Sequence, residues 1–93
     1  MTIDEIKSTL LEFVKKYHIK KIVLFGSRAD GTNKSDSDVD LIVEFFDPIS
    51  LITLSQIRID MEEALGLNVD LIHGPLSETD MIKANKEVVL YAA

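Results

Sequence analysis

No cysteine occurs in this chain. Disulfides and thiolate zinc sites are therefore excluded, and the composition suits a cytoplasmic protein. No apolar run is long enough to span a bilayer, so no membrane association is expected. The first residues, Met1-Thr2-Ile3-Asp4-Glu5, are acidic and carry no apolar core of a signal peptide. Positive charge is scarce: 10 Lys and Arg against 16 Asp and Glu give a formal net charge of −6. That balance argues against direct nucleic-acid binding through a basic face. It leaves nucleotide binding open, because a divalent cation reverses the local sign. Repeats, low-complexity segments and linkers are also missing. His18 and His73 have no second His or Cys at ligand spacing and read as ordinary surface or strand-end residues. No Gly-x-Ser-x-Gly elbow supports nucleophilic catalysis by serine.

What is present is enough for one domain spanning residues 1–93. An apolar content of 46% and a charged content of 28% fit a globular fold. The core of so short a chain is small, which makes a homodimer or a heterocomplex the natural way to cover further apolar surface.

Thr2 and Glu5 have the spacing of a capping box. Ile6, Leu10, Phe13, Val14 and Tyr17 follow at helical spacing, which predicts a helix over residues 3–17. Lys20–Phe25 is apolar, partly β-branched and stops at Gly26, as a strand does. Ser27–Asp30 is one helical turn closed by Gly31, and Thr32–Ser37 is a polar loop. Asp38–Phe46 is a second strand. Period-two alternation puts Val39, Leu41, Val43 and Phe45 on one face and Asp38, Asp40, Ile42 and Glu44 on the other. Asp47-Pro48 reads as a helix start, with Leu51, Leu54, Arg58, Met61 and Leu65 along one stripe, Ile57 and Ala64 beside it, and Gly66 as the stop. Val69–His73 is a third strand, Ser77 with Asp80 suggests a last short helix, and Val88–Tyr91 is strand or helix. The order describes an α/β (α+β) domain with a small mixed sheet of three to four strands packed against helices.

Three features carry chemistry. Asp38 and Asp40 stand at i and i+2 in a strand, so their carboxylates share a side. Both ionised, they repel, and either one takes up a proton or a cation sits between them. Magnesium suits the pair, since it uses one or two carboxylates together with substrate phosphates. The plain alternative is a solvated acidic strand edge. Asp70 lies within the apolar Val69–Ile72 run, where an aspartate is costly unless paired, metal-bound or at a strand end. If the second and third strands are neighbours, Asp70 completes a triad able to hold two divalent ions for in-line nucleotidyl transfer. Its alternative is a cap or edge residue near Asn68. Gly26-Ser27 forms a turn that lets backbone N–H groups and a hydroxyl approach a phosphate, with Arg28 and Lys34 in the same loop available to neutralise its charge. The alternatives here are a turn that merely needs glycine and two solvated cations. Gly-Ser and Asp-x-Asp at one fixed spacing arise by chance on the order of once per thousand chains of this length.

Gly26-Ser27-Arg28-Ala29-Asp30-Gly31 and Ser37-Asp38-Val39-Asp40-Leu41-Ile42-Val43 together resemble the minimal nucleotidyltransferases of the polymerase-β superfamily. The resemblance extends over nearly the whole chain, including Val69-Asp70-Leu71 and Val88-Val89-Leu90-Tyr91. It implies a polymerase-β-like nucleotidyltransferase fold. It implies that Gly26 and Ser27 hold a triphosphate, that Asp38 and Asp40 ligate magnesium, and that Asp70 positions or deprotonates the acceptor hydroxyl. The implied reaction is attack on the α-phosphate of ATP with loss of pyrophosphate. The implied partner is a HEPN-domain RNase toxin, adenylylated on tyrosine by an antitoxin of this family. One departure stands out: Asp30 occupies a place where the family often has Arg, which removes a phosphate contact. Two competing functions follow from the residues, a binding module that neutralises its partner by covering it and an aminoglycoside-type small-molecule transferase.

Overall fold

A computed structural model describes residues 1–34, 36–74 and 87–93. In chain order its elements are α1 (Ile3–Lys16), β1 (Ile19–Phe25), α2 (Ser27–Asp30), β2 (Val39–Phe45), α3 (Leu51–Leu65), β3 (Val69–His73) and β4 (Glu87–Ala92). The strands form one sheet in the order β3-β2-β1-β4. β1 runs antiparallel to both β2 and β4, whereas β2 and β3 are parallel. The sheet is therefore mixed, as the sequence predicts, and the 87–92 segment is a strand. The short helix expected from Ser77 and Asp80 lies outside the described residues.

Helix α1 begins with the capping box read from the sequence. The Glu5 N–H donates to Thr2 Oγ1 (3.1 Å) and the Thr2 N–H donates to Glu5 Oε1 (3.0 Å). Two backbone donors that a helix start leaves orphaned are thereby satisfied. Ile6, Leu10 and Phe13 then bury one stripe of the helix against the sheet. They share a core with Ile22 and Leu24 of β1, Val39, Leu41 and Val43 of β2, and Ile57, Met61 and Leu65 of α3. A bulge between Ile19 and Lys21 shifts the phase of β1, so Ile19 also points into this core. At the far end of α1, the Tyr17 hydroxyl donates to Asp60 Oδ2 (2.6 Å), and Gln56 Nε2 donates to Asp60 Oδ1 (3.0 Å). These bonds tie α1 to α3. They hold the Asp60 carboxyl below its ordinary range and the Tyr17 hydroxyl above its own.

Two expectations about α3 are corrected. The helix starts after Ser50, not at Asp47-Pro48: Ser50 Oγ accepts the Thr53 N–H (3.1 Å). Residues 46–50 are spent on leaving the sheet. The Phe46 N–H donates to the His18 carbonyl (3.1 Å), and Asp47 Oδ2 lies 2.9 Å from His18 Nδ1. The buried stripe is Ile57-Met61-Leu65, whereas Leu51 is 81% exposed and Ile52 85%. Arg58 leaves the apolar stripe to pair with Glu62 one turn on (3.0 Å). Helical periodicity permits more than one apolar line along this segment, and contact with the sheet selects the i, i+4 row. Gly66, at φ +70°, closes the helix as expected, its N–H bonded to the Glu62 carbonyl (2.8 Å). Among the described residues, no helix is long and apolar enough to cross a membrane.

The revised stripe is testable by urea unfolding. Ile57→Ala should cost about 2–5 kcal/mol, as a large-to-small change in a closed core does. Leu51→Ala, which truncates an isomeric side chain that is exposed, should change stability by less than roughly 0.5 kcal/mol.

Candidate active site

The site is assembled by strand register. In the parallel pair, Asp40 of β2 stands opposite Asp70 of β3; in the antiparallel pair, Asp40 stands opposite Phe25, the last residue of β1. Gly26 follows Phe25 directly. One end of three adjacent strands thus carries the turn, the Asp-x-Asp segment and the third aspartate. Parallel neighbours require a crossover, and α3 supplies it between β2 and β3. The β3 end is pinned twice. The Val39 N–H donates to the Asn68 carbonyl (2.9 Å), and Glu62 Oε2 accepts the Val69 N–H (2.9 Å). No local sequence signal marks Glu62, because its partner lies beyond the helix end.

Asp38 and Asp70 are exposed, while Asp40 is half-buried. Burial, followed by the charges of Asp70 and Asp38, pushes the Asp40 carboxyl above its ordinary pKa. The three carboxylates expected from the sequence are therefore electrostatic neighbours. Among the described residues, no three acidic, imidazole or thiol groups are gathered closely enough to enclose an ion. An open set of hard oxygen donors still fits magnesium, which takes its remaining ligands from substrate phosphates and water. Surplus negative charge around a partly desolvated carboxylate is the condition that a cation relieves.

Gly26 has φ +75° and leads into the single turn α2. A Cβ built on it would overlap the Asp40 carboxylate, with Cγ only 3.2 Å away. Glycine is needed here for its backbone angle and for the close approach of the turn to Asp40. Ser27 is half-buried at the same turn, and its carbonyl accepts the Thr32 N–H (3.0 Å). Gly31, at φ +83°, ends α2 as expected.

The remaining residues of the loop sit differently from a row of phosphate ligands. Arg28 is 3% exposed. Its Nε and Nη2 both donate to the Ser37 carbonyl (3.1 and 2.9 Å), and its Nη1 donates to the Met1 carbonyl (3.3 Å). Asp30 is exposed, and its Oδ1 accepts from the Thr32 N–H (3.0 Å) and the Thr32 hydroxyl (2.6 Å). The departure at Asp30 thus has a local use, as an aspartate-anchored turn that opens the spacer. Lys34 is exposed, its N–H donating to Ser37 Oγ (2.8 Å). His18 faces Asp47 on the surface, and His73 packs edge-on to Phe45.

Residues 4–91 match the model of the nucleotidyltransferase domain family. Protein adenylyltransferase MntA of Thermococcus cleftensis is 33% identical over 95 residues, a stretch covering 98% of this chain and 96% of that protein. A crystal structure of a toxin–antitoxin with AMP-PNP superposes with a TM-score of 0.79 at 22% identity, over 94% of this chain and 73% of that one. A tri-AMPylated Shewanella oneidensis HEPN toxin in complex with MNT antitoxin gives a TM-score of 0.73 at 18% identity, over 97% and 72%. At these identities the two solved structures establish the shared fold.

Two outcomes follow from the geometry. Gly26→Ala should displace Asp40 and lower activity by at least about tenfold, on the scale of a misplaced reacting group, with the fold intact by circular dichroism. Asp40 binds its proton more tightly folded than unfolded, so its ionised form opposes folding above the folded pKa, and this cost fades as pH falls through it. In EDTA at pH 7, Asp40→Asn should therefore melt higher than the wild-type protein. The gain should shrink toward pH 4.

Proposed function

This chain belongs to the nucleotidyltransferase domain family, and from that premise we propose that it transfers AMP from ATP to a hydroxyl on a partner protein, as the antitoxin of a HEPN toxin. The observation that carries the reading is the register of Asp40 with Asp70, with Gly26 packed against the Asp40 carboxylate. A full-length relative named as a protein adenylyltransferase supports the chemistry. Neighbouring folds seen with AMP-PNP and with an AMPylated HEPN toxin support the nucleotide and the class of acceptor.

In this reading, Gly26 and Ser27 receive the triphosphate through backbone N–H groups and the Ser27 hydroxyl. Asp38, Asp40 and Asp70 would hold magnesium, which when bound would supply positive charge to the triphosphate and to the transition state at the α-phosphorus. Asp70, exposed on the edge strand β3, is the group that positions or deprotonates the acceptor hydroxyl. The hydroxyl oxygen bonds to the α-phosphorus, the bond from that phosphorus to the bridging oxygen breaks, and pyrophosphate leaves. A tyrosine of the HEPN protein is the proposed acceptor. The small domain has little surface from which to build a deep acceptor pocket, so the acceptor arrives on another chain.

A second reading, neutralisation by complex formation alone, is favoured by Phe46, Leu51 and Ile52, three exposed apolar side chains around the start of α3. Incubation with α-labelled ATP, magnesium and the HEPN protein encoded alongside separates the two. The expected result is label on the partner, lost by about a thousandfold or more in Asp38→Asn. No transfer, or equal transfer by Asp38→Asn, overturns the transferase reading. An Asp38→Asn/Asp40→Asn variant that still neutralises its partner establishes the binding one.

A further inference from the structure

We propose that Arg28 is a positioning residue, whose buried guanidinium holds the Ser37 carbonyl and so sets where Asp38 stands relative to Gly26-Ser27. Arg28 sits in α2, immediately after Ser27, and Ser37 immediately precedes Asp38. The guanidinium therefore bridges the two halves of the motif across the spacer. Two of its nitrogens converge on one carbonyl, at 3.1 and 2.9 Å, and a third reaches Met1 O at 3.3 Å.

Further side-chain bonds in the spacer span two or three residues. Asp30 holds Thr32, two residues on, and Lys34 and Ser37 hold each other, three residues apart. Such bonds, with that from the Thr32 N–H to the Ser27 carbonyl (3.0 Å), tie the start of the spacer to α2, whereas the Arg28 guanidinium reaches its far end at Ser37. Burial makes the bridge stringent. A guanidinium at 3% exposure must keep its donors satisfied, and every buried side-chain nitrogen and oxygen among the described residues has a partner. Lysine cannot replace it, because a single ammonium lacks the planar fork that places two donors on one acceptor while a third points elsewhere. Adjacent to Ser27 in the chain, this arginine nonetheless turns inward, toward the backbone that carries the first aspartate.

The inference rests on reading Asp38 as a metal ligand, and its first two tests, on the full chain, read loop structure and not AMP transfer, so that its failure is distinguishable from that of the transferase reading. Side-chain NMR of the wild-type protein should show an Arg28 Nε–H protected from solvent, with an unchanged resonance when magnesium and AMP-PNP are added. A large shift on adding the nucleotide would mark a phosphate ligand and overturn the proposal. Amide exchange at residues 36–39 of metal-free Arg28→Lys should be about tenfold faster or more, with α1 residues 10–16 unchanged. Equal exchange in the two proteins overturns it. In the transfer assay, half-saturating magnesium should rise about tenfold, as for loss of a group that orients a ligand, while the ATP KM at saturating magnesium stays within about twofold. A raised ATP KM with unchanged magnesium dependence counts against positioning. If Arg28→Lys does not fold, the wild-type NMR measurement decides alone.

Discussion

The site depends on where β2 sits in the sheet. β2 is bonded antiparallel to β1 on one side and parallel to β3 on the other. Because side chains alternate, a one-residue slip on either side would move Asp40 away from Gly26 or Asp70 away from Asp40, and would turn Val39, Leu41 and Val43 out of the core. Core burial and site assembly are thus enforced by the same register. Val39, Leu41 and Val43 are fully buried on one face, and Asp40 is placed on the opposite face by the same pleat. A hydrophobic requirement, which is non-directional, becomes a directional one through the two-residue period of a strand.

The electrostatic consequence runs against stability. Three aspartates share one sheet end, and the central one is partly withdrawn from water. Without a cation, this arrangement costs folding free energy above the carboxylate range. Sites that handle triphosphates commonly accept such a cost, because the repulsion that opposes folding is what draws in a divalent ion and then phosphate. The small core makes the compensation visible. Capping at Thr2 and Ser50, the Tyr17–Asp60 bond and the Glu62–Val69 bond each hold an element end where burial alone is thin.

Several residues took roles that their neighbourhood in the chain does not suggest. Arg28 lies next to Ser27 yet is buried against the Ser37 carbonyl. Asp47, next to Pro48, has the look of a helix cap, but it faces His18 across the surface and leaves capping to Ser50. Leu51 and Ile52 belong to an apolar helix yet are exposed, where a partner chain can cover them. In each case a side chain with several feasible partners took the one that the packed backbone brought near.

The one-dimensional signals that proved legible were local ones. The capping box, the glycine stops at Gly31 and Gly66, the period-two faces of β2 and the Gly-Ser/Asp-x-Asp spacing all depend on residues a few positions apart. By itself the sequence determined the order of elements from α1 to β3, the mixed character of the fold and the family to which the chain belongs. Only the tertiary structure decided that Asp70 stands opposite Asp40, that Gly26 presses on the Asp40 carboxylate, and which face of α3 is buried. Those facts join residues some fifteen to thirty positions apart, or depend on which of several apolar rows meets the sheet. Short-range patterns carry no information about that choice, because long-range pairing is settled by the packing of the whole core.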